Sequence, residues 1–92
     1  MFIIDFAPSV ADDLADLRAF DRAKILDEID DQLTHEPSRE TRNKKIVMGL
    51  VFPWEHEEPA WALRVDDYRV FYDVNEEAGY VTVRAVRHKP PN

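Results

Sequence analysis

The feature that most constrains the fold of this chain is a two-residue periodicity in its last third. From Trp61 to Val65, apolar side chains at every second position alternate with Ala62 and Arg64. The same alternation returns at 68–74 and at 80–86. Successive side chains of a strand point to opposite faces, so this pattern predicts three strands, each with one apolar face. The short links at 66–67 and 75–79 predict that consecutive strands form antiparallel hairpins.

The first 36 residues predict a strand followed by two helices. Phe2–Phe6 is rich in β-branched and aromatic side chains and is followed by Pro8, which is typical of a short strand. Apolar residues then recur at helical spacing over 10–20 and, after a predicted cap at Asp21, at 25, 29 and 33. The order β-α-α-β-β-β predicts an α+β fold: a small antiparallel sheet with an N-terminal strand and a two-helix hairpin packed on one face.

Length and composition exclude several classes of protein. A chain of 92 residues predicts one domain, spanning 1–92. It contains no cysteine, which excludes a disulfide framework and a thiolate zinc site. No apolar run approaches the ~18 residues of a membrane span, and the first residues lack the basic region of a secretory signal. We therefore expect a cytoplasmic protein with no membrane partner.

The net charge of −7 is confined to the front of the chain. Residues 1–36 hold ten acidic and three basic side chains, whereas residues 37–92 hold nine of each. The acidic total argues against a nucleic-acid partner. Because the half that forms the predicted sheet is neutral, the total does not exclude an anion-binding face there.

Other potential sites in the sequence favour structural explanations. Trp54–Glu58 surrounds His56 with carboxylates, which could ligate a metal. No second histidine lies one helical turn away, and flanking prolines oppose a helix, so we predict a solvated acidic loop and no metal site. Two glycines are too few for a Gly-rich phosphate loop, and we expect no cofactor. The following carboxylates are predicted to form a solvated helix face: Asp27, Glu28, Asp30 and Asp31.

The arginines of the predicted sheet are the strongest functional candidates. Arg64 occupies the non-core face of its strand, Arg69 and Arg84 come from the next two strands, and Arg87 and Lys89 follow. On a small sheet they could converge on one open face, where guanidinium groups bind phosphate bidentately. The alternative is that they form exposed salt bridges, each contributing less than about 1 kcal/mol. A second basic cluster contains Arg39, Arg42, Lys44 and Lys45.

Leu63–Val74, followed by Val81–Lys89, resembles the C-terminal half of RelE/ParE-family toxins, the toxin halves of bacterial type II toxin–antitoxin modules. The family pattern is a Leu-Arg-x-Gly-x-Tyr-Arg-x-x-Tyr hairpin and then a strand ending in His-Arg or a close variant. The predicted element order is similar to the fold of this family. The resemblance implies a growth-inhibiting toxin with a cognate antitoxin. It also implies one of two targets: mRNA on the ribosome, cleaved without a metal (RelE type), or DNA gyrase (ParE type).

The resemblance also implies roles for individual residues. Arg69 matches the hairpin arginine near the scissile phosphate, Arg64 matches the strand arginine upstream, and Lys89 falls where a second catalytic arginine is common. We therefore predict three catalytic residues, namely Arg69, Lys89 and Arg64. The predicted RNA- or target-binding residues are Arg87, Arg84, Lys44 and Lys45.

Departures from the RelE pattern leave the activity open. The two strand lysines of RelE-type nucleases fall on Ala60 and Ala62, the turn glycine is Asp67, and the tyrosine beyond the final strand has no match up to Asn92. Loss of one positioned catalytic group typically costs about 10²–10³-fold. The alternatives are a metal-independent endoribonuclease, a ParE-like inhibitor, and a non-toxic family member that only binds its antitoxin.

Overall fold

The computed structural model describes residues 1–89. Its elements are β1 (Ile3–Phe6), α1 (Val10–Ala15), α2 (Ala19–Leu33), β2 (Lys44–Val47), β3 (Ala60–Val65), β4 (Tyr68–Asn75) and β5 (Tyr80–His88). The strands form one sheet in the order β1-β5-β4-β3-β2. The predicted α+β class is therefore confirmed, and both predicted hairpins, β3–β4 and β4–β5, are present.

The sheet is mixed, not wholly antiparallel as predicted. β1 pairs with β5 in parallel, with Ile3 opposite Tyr80, whereas every other neighbouring pair is antiparallel. No hairpin joins β1 to β5, because two helices and three strands lie between them in the chain, so local turn geometry does not set their relative direction. The predicted order β-α-α-β-β-β has no strand between the second helix and the strand that begins near Trp61, whereas the structure has an additional edge strand there, β2.

The boundary between the helices also differs from the prediction. α2 begins at Ala19, so Asp21 lies in its first turn and is not the cap. There the carboxylate of Asp21 accepts a hydrogen bond from the Tyr68 hydroxyl at 3.3 Å. The guanidinium of Arg22 donates to the carbonyls of Leu14 and Leu17. Leu14 lies in the last turn of α1 and Leu17 lies in the link between the helices, so Arg22 connects the start of α2 to the end of α1.

The core lies between the helices and one face of β3, β4 and β5. The predicted stripe on α2 is confirmed, because residues 25, 29 and 33 are all buried. Tyr72 is 1% exposed, and its hydroxyl donates to the carbonyl of Pro37 at 2.7 Å, which ties the chain after α2 to the sheet. Burial raises the pKa of Tyr72 above its usual value. The core cluster comprises Val10, Ile25, Ile29, Leu33, Trp61, Leu63, Val65, Val70, Tyr72, Val81, Val83 and Val86.

A β-bulge interrupts the pairing of β4 with β5. Phe71 lies opposite Ala85, but the next residue, Tyr72, lies opposite Val83, so Arg84 is the extra residue of β5. Beyond the bulge, the side chains of β5 at even-numbered positions point to the core, whereas before it those at odd-numbered positions do. As a result Val86 is buried in the core and Arg87 lies on the face of the sheet that is turned away from the helices.

Candidate functional site

Three arginines lie side by side on the open face of the sheet, the face opposite the core. Arg64 of β3 is directly opposite Arg69 of β4, and Arg69 is directly opposite Arg87 of β5. Neighbouring strands lie about 4.8 Å apart, so these positions span about 10 Å. We call Arg64, Arg69 and Arg87 the arginine row. The structure thus brings together two predicted catalytic residues and one predicted target-binding residue.

The arginine row has an excess of positive charge. Within residues 1–89, Arg87 forms an ion pair, with Asp13, but neither Arg64 nor Arg69 does. Like charges directly opposite each other on neighbouring strands destabilise a sheet by roughly 0.2–1 kcal/mol per pair. The positive charge of the arginine row therefore favours the binding of an anionic ligand or of an acidic surface of a partner protein.

An aromatic loop covers the neighbouring part of the open face. The rings of Phe52 and Trp54 each lie 5.3 Å from the ring of Phe71, and they stack on each other at 4.9 Å. The ring of His56 packs edge-on against Phe52 at 5.1 Å. We call residues 52–57 the aromatic loop. It adjoins the arginine row, because the guanidinium carbon of Arg87 lies 5.0 Å from the centre of the Trp54 ring.

The prediction of a solvated acidic loop is therefore wrong for its aromatic half. Glu55, Glu57 and Glu58 are exposed as predicted, but Trp54 and His56 are partly buried against the sheet. The signal in the sequence was the placement of aromatic rings at every second position, 52, 54 and 56. That spacing directs three rings to one side of an extended segment.

A buried ion pair attaches the aromatic loop to the sheet. Asp73 is 4% exposed, and its carboxylate accepts hydrogen bonds from Arg84 Nε at 2.7 Å and Nη2 at 3.3 Å. The same carboxylate accepts a hydrogen bond from the backbone N–H of Glu57 at 3.0 Å. The hydrogen bond to Asp73 raises the pKa of Arg84. The target-binding role predicted for Arg84 is thus corrected, because its guanidinium is committed to a structural ion pair.

The structure also corrects the prediction for Lys44. This residue is 3% exposed, and its Nζ donates to the carbonyl of Gln32 at 3.1 Å and to that of Glu36 at 2.8 Å. The Gln32 carbonyl is in the last turn of α2, where backbone acceptors lack helical partners, and Glu36 follows three residues after Leu33, the end of that helix. Burial lowers the pKa of Lys44. Lys44 therefore supports the end of the helix and cannot reach a target.

The remaining predicted residues border the arginine row. Lys45 is exposed on β2, opposite Ala62, which is two residues before Arg64 on β3. Lys89 is exposed beyond the end of β5, where its backbone N–H donates to the carbonyl of Asp67 in the β3–β4 turn. Ala60, at one of the two positions that the resemblance aligns with nuclease lysines, is 4% exposed. Ala62, at the other, is partly buried.

We expect the stability of the aromatic loop to depend on pH through His56. Its Nε2 lies 2.9 Å from Glu58 Oε1, and this hydrogen bond is the main cause that raises the pKa of His56 above the usual 6.5. A pKa raised by folding adds stability in full below the unfolded value, and this stability is lost as the pH rises through the folded value. We expect an NMR titration midpoint for His56 above 6.5 and a lower free energy of unfolding at pH 8 than at pH 6. In Glu58→Gln both effects should shrink; if they persist there, Glu58 is not their cause.

Within the described part of the chain, no helix is long and apolar enough to cross a membrane. In the same residues, no group of three or more His, Cys, Asp or Glu side chains is placed to hold a metal ion.

The fold is similar to that of solved toxin–antitoxin structures. A chain of the RelBE2 complex from Mycobacterium tuberculosis aligns with a TM-score of 0.70 and 22% identity, covering 96% of this chain and 98% of that one. A chain of the archaeal RelE–RelB complex from Pyrococcus horikoshii gives 0.77 and 18%, covering 99% and 98%. The isolated E. coli RelE toxin gives 0.76 and 17%, covering 100% and 88%. No curated protein matches the chain. At these identities the structural matches establish the fold alone.

The family is established by the sequence. Residues 4–89 match the family model described as the ParE toxin of the type II toxin–antitoxin system, parDE. This match includes all of α1 and α2, strands β2 to β5, and the whole arginine row. The chain therefore belongs to the ParE toxin family of type II toxin–antitoxin systems.

Proposed function

We propose that this protein inhibits growth by binding DNA gyrase through the arginine row, and that it does not cleave mRNA. The observation that supports this proposal is the row itself, in which Arg64 and Arg69 have no ion pair within residues 1–89. Arginine is among the residues most often responsible for binding energy at protein interfaces, and a guanidinium fork matches the carboxylates of an acidic protein surface.

The positions next to the row support binding over RNA cleavage. Cleavage through a 2′-hydroxyl requires groups that move protons beside the scissile phosphate. At the two positions that the resemblance aligns with nuclease lysines, this chain has alanine, whose side chain is a methyl group. Ala60 is buried. Ala62 is partly buried and lies opposite Phe71, onto which the aromatic loop packs. These positions can neither donate nor accept a proton, and Lys89 replaces a forked guanidinium with a point charge.

The distribution of charge supports a protein target. The net charge of −7 lies on residues 1–36, and the carboxylates of Asp27, Asp30 and Asp31 are on exposed positions of α2. Screening at physiological salt acts over about 8 Å, and the molecule measures 35 × 28 × 27 Å. On the ribosome, polyanionic RNA would surround the protein and be repelled by the carboxylates of α2. A partner that contacts only the sheet face would not come close to those carboxylates.

We further propose a cognate antitoxin as the physiological partner and the cytoplasm as the location. The support is the family match together with the solved relatives, three of which are described as RelB–RelE or RelBE complexes. We also propose that residues 1–92 form a single toxin domain. Neutralisation by the antitoxin would account for the presence of a growth inhibitor in a living cell.

Two assays run in parallel test the proposed target. Purified protein is added to a DNA gyrase supercoiling reaction and to a cell-free translation reaction whose mRNA 5′ ends are then mapped. We expect inhibition of supercoiling and no new mRNA ends. New ends without inhibition of gyrase would identify a nuclease. If neither effect appears, and induction in a bacterium causes no growth defect, the protein is a non-toxic member that binds only its antitoxin.

A further inference from the structure

We propose that Asp13 is a positioning residue for the arginine row, because it holds Arg87 in the orientation that binds the target. This inference rests on the proposed function, since it concerns a residue that orients one of the arginines of the proposed binding surface. Asp13 lies on α1, outside the sheet, and nothing in the sequence pattern connects it with Arg87, which is 74 positions further along the chain.

α1 brings Asp13 to the part of β5 that β1 leaves unpaired. β1 pairs with β5 only from Tyr80 to Val83, so the following backbone amides of β5 that point away from β4 lie on a free edge. The carboxylate of Asp13 accepts a hydrogen bond from one of them, the N–H of Val86, at 3.0 Å. The same oxygen, Oδ2, lies 2.6 Å from Nη1 of Arg87. With a side chain 16% exposed, Asp13 is largely shielded from water, which strengthens both contacts.

Three contacts hold the Arg87 guanidinium from different directions. Nη1 faces Asp13 and also donates to the carbonyl of Val86 at 3.1 Å. The face of the Trp54 ring lies 5.0 Å from the guanidinium carbon. Within residues 1–89 the contacts that the Arg87 guanidinium makes with oxygen atoms all use Nη1. The donors on Nε and Nη2 are therefore available to a partner while the side chain stays fixed.

The positioning role follows from the repulsion inside the row. Arg87 lies directly opposite Arg69, and repulsion between these two like charges favours displacement of Arg87, the more exposed of the two side chains. The carboxylate of Asp13 offsets this repulsion without occupying the outer donors. Without it, Arg87 would sample many rotamers, and the target would have to order the side chain on binding. We expect the affinity for the target to fall about 3- to 10-fold.

Asp13→Asn tests the proposal, with Asp12→Asn as its matched control. Asparagine keeps a carbonyl oxygen for the N–H of Val86 but removes the charge that holds Arg87. The control removes the same charge from the same turn of α1 at an exposed position. We expect Asp13→Asn to raise the half-inhibitory concentration in the gyrase assay about 3- to 10-fold and Asp12→Asn to leave it unchanged. Equal effects of the two variants would overturn the proposal.

A double-mutant cycle separates positioning from a general effect on the fold. In an Arg87→Gln background, Asp13→Asn should cause no further loss of inhibition, because its effect is transmitted through the missing arginine. If Asp13→Asn weakens Arg87→Gln as much as it weakens the wild type, Asp13 acts through the fold and the positioning role is wrong. All proteins are compared well below the lowest melting midpoint of the set.

A measurement without a target keeps this inference distinct from the proposed function. The Nε–Hε signal of Arg87 in ¹⁵N NMR spectra reports how rigidly the guanidinium is held. It should show ordered dynamics in the wild type and fast motion in Asp13→Asn, while the signal of Arg64 is unchanged. If the wild type does not inhibit gyrase, the inhibition assay fails for every variant, yet this comparison still decides the inference. An Arg87 signal that is equally ordered in both proteins would overturn it.

Discussion

Arg69→Gln should remove most of the growth inhibition while leaving the fold intact. Arg69 is the centre of the arginine row, with Arg64 opposite it on one side and Arg87 on the other. Hydrogen bonds to charged groups contribute roughly 1.5–3 kcal/mol each. The loss of one such contact at the centre of the interface corresponds to an increase of about 10- to 100-fold in the half-inhibitory concentration.

Arg69→Gln should not lower the stability of the protein, although it lowers the activity. Glutamine removes a positive charge that lies between two others, so the free energy of unfolding in urea should be unchanged or higher by up to about 1 kcal/mol. Arg39→Gln is the matched control, because Arg39 is an exposed arginine outside the sheet whose partner is Glu36 at 3.0 Å. If Arg69→Gln inhibits growth as strongly as the wild type, or the control loses as much activity, the arginine row is not the functional surface.

Asp73→Ala is expected to destabilise the protein by about 3–5 kcal/mol. The change leaves the Arg84 guanidinium, whose side chain is only 19% exposed, without its counter-charge. It also leaves the backbone N–H of Glu57 without its acceptor and so detaches the aromatic loop from the sheet. Since small proteins are stable by roughly 5–15 kcal/mol, this is a large fraction of the total. Urea unfolding at pH 7 measures the change, and the near-UV circular dichroism of the tryptophans reports the loop.

Two further variants test the cause of that destabilisation. Asp73→Ala combined with Arg84→Ala should recover part of the loss, because the unpaired charge is then gone. Glu76→Ala, at an exposed position of the β4–β5 loop, should change the free energy of unfolding by less than about 0.5 kcal/mol. The buried pair would have no special role if Asp73→Ala cost no more than Glu76→Ala, or if the double variant were less stable than Asp73→Ala.

Periodic apolar residues predicted the elements of this fold well. The stripe at 25, 29 and 33 identified the buried face of α2, and the alternation from Trp61 onward identified two hairpins and their core face. These predictions succeed because a side chain's face depends only on local backbone geometry once the element type is known. For the same reason, Arg64 and Arg69 could be placed on the open face from the sequence.

The roles of individual charged residues could not be predicted in the same way. Lys44 and Lys45 are neighbours of identical type, yet one is buried at the end of α2 and the other is exposed. Lys44 is buried because its Nζ donates to the carbonyls of Gln32 and Glu36, which lie at and just after the end of α2 and not on the strand of Lys44. Arg84 likewise depends on Asp73 across a strand pair. A sequence pattern specifies charge, but burial and pairing depend on contacts between distant segments.

The alternation in β5, continued without interruption, would place Arg87 on the same face as Val81 and Val83, which is the core face. The arginine row would then contain only Arg64 of β3 and Arg69 of β4. The bulge at Arg84 adds one residue to β5, and a shift of one residue exchanges the faces of every side chain beyond it. Arg87 thereby reaches the open face beside Arg69, and the register that puts it there is set by the pairing of whole strands.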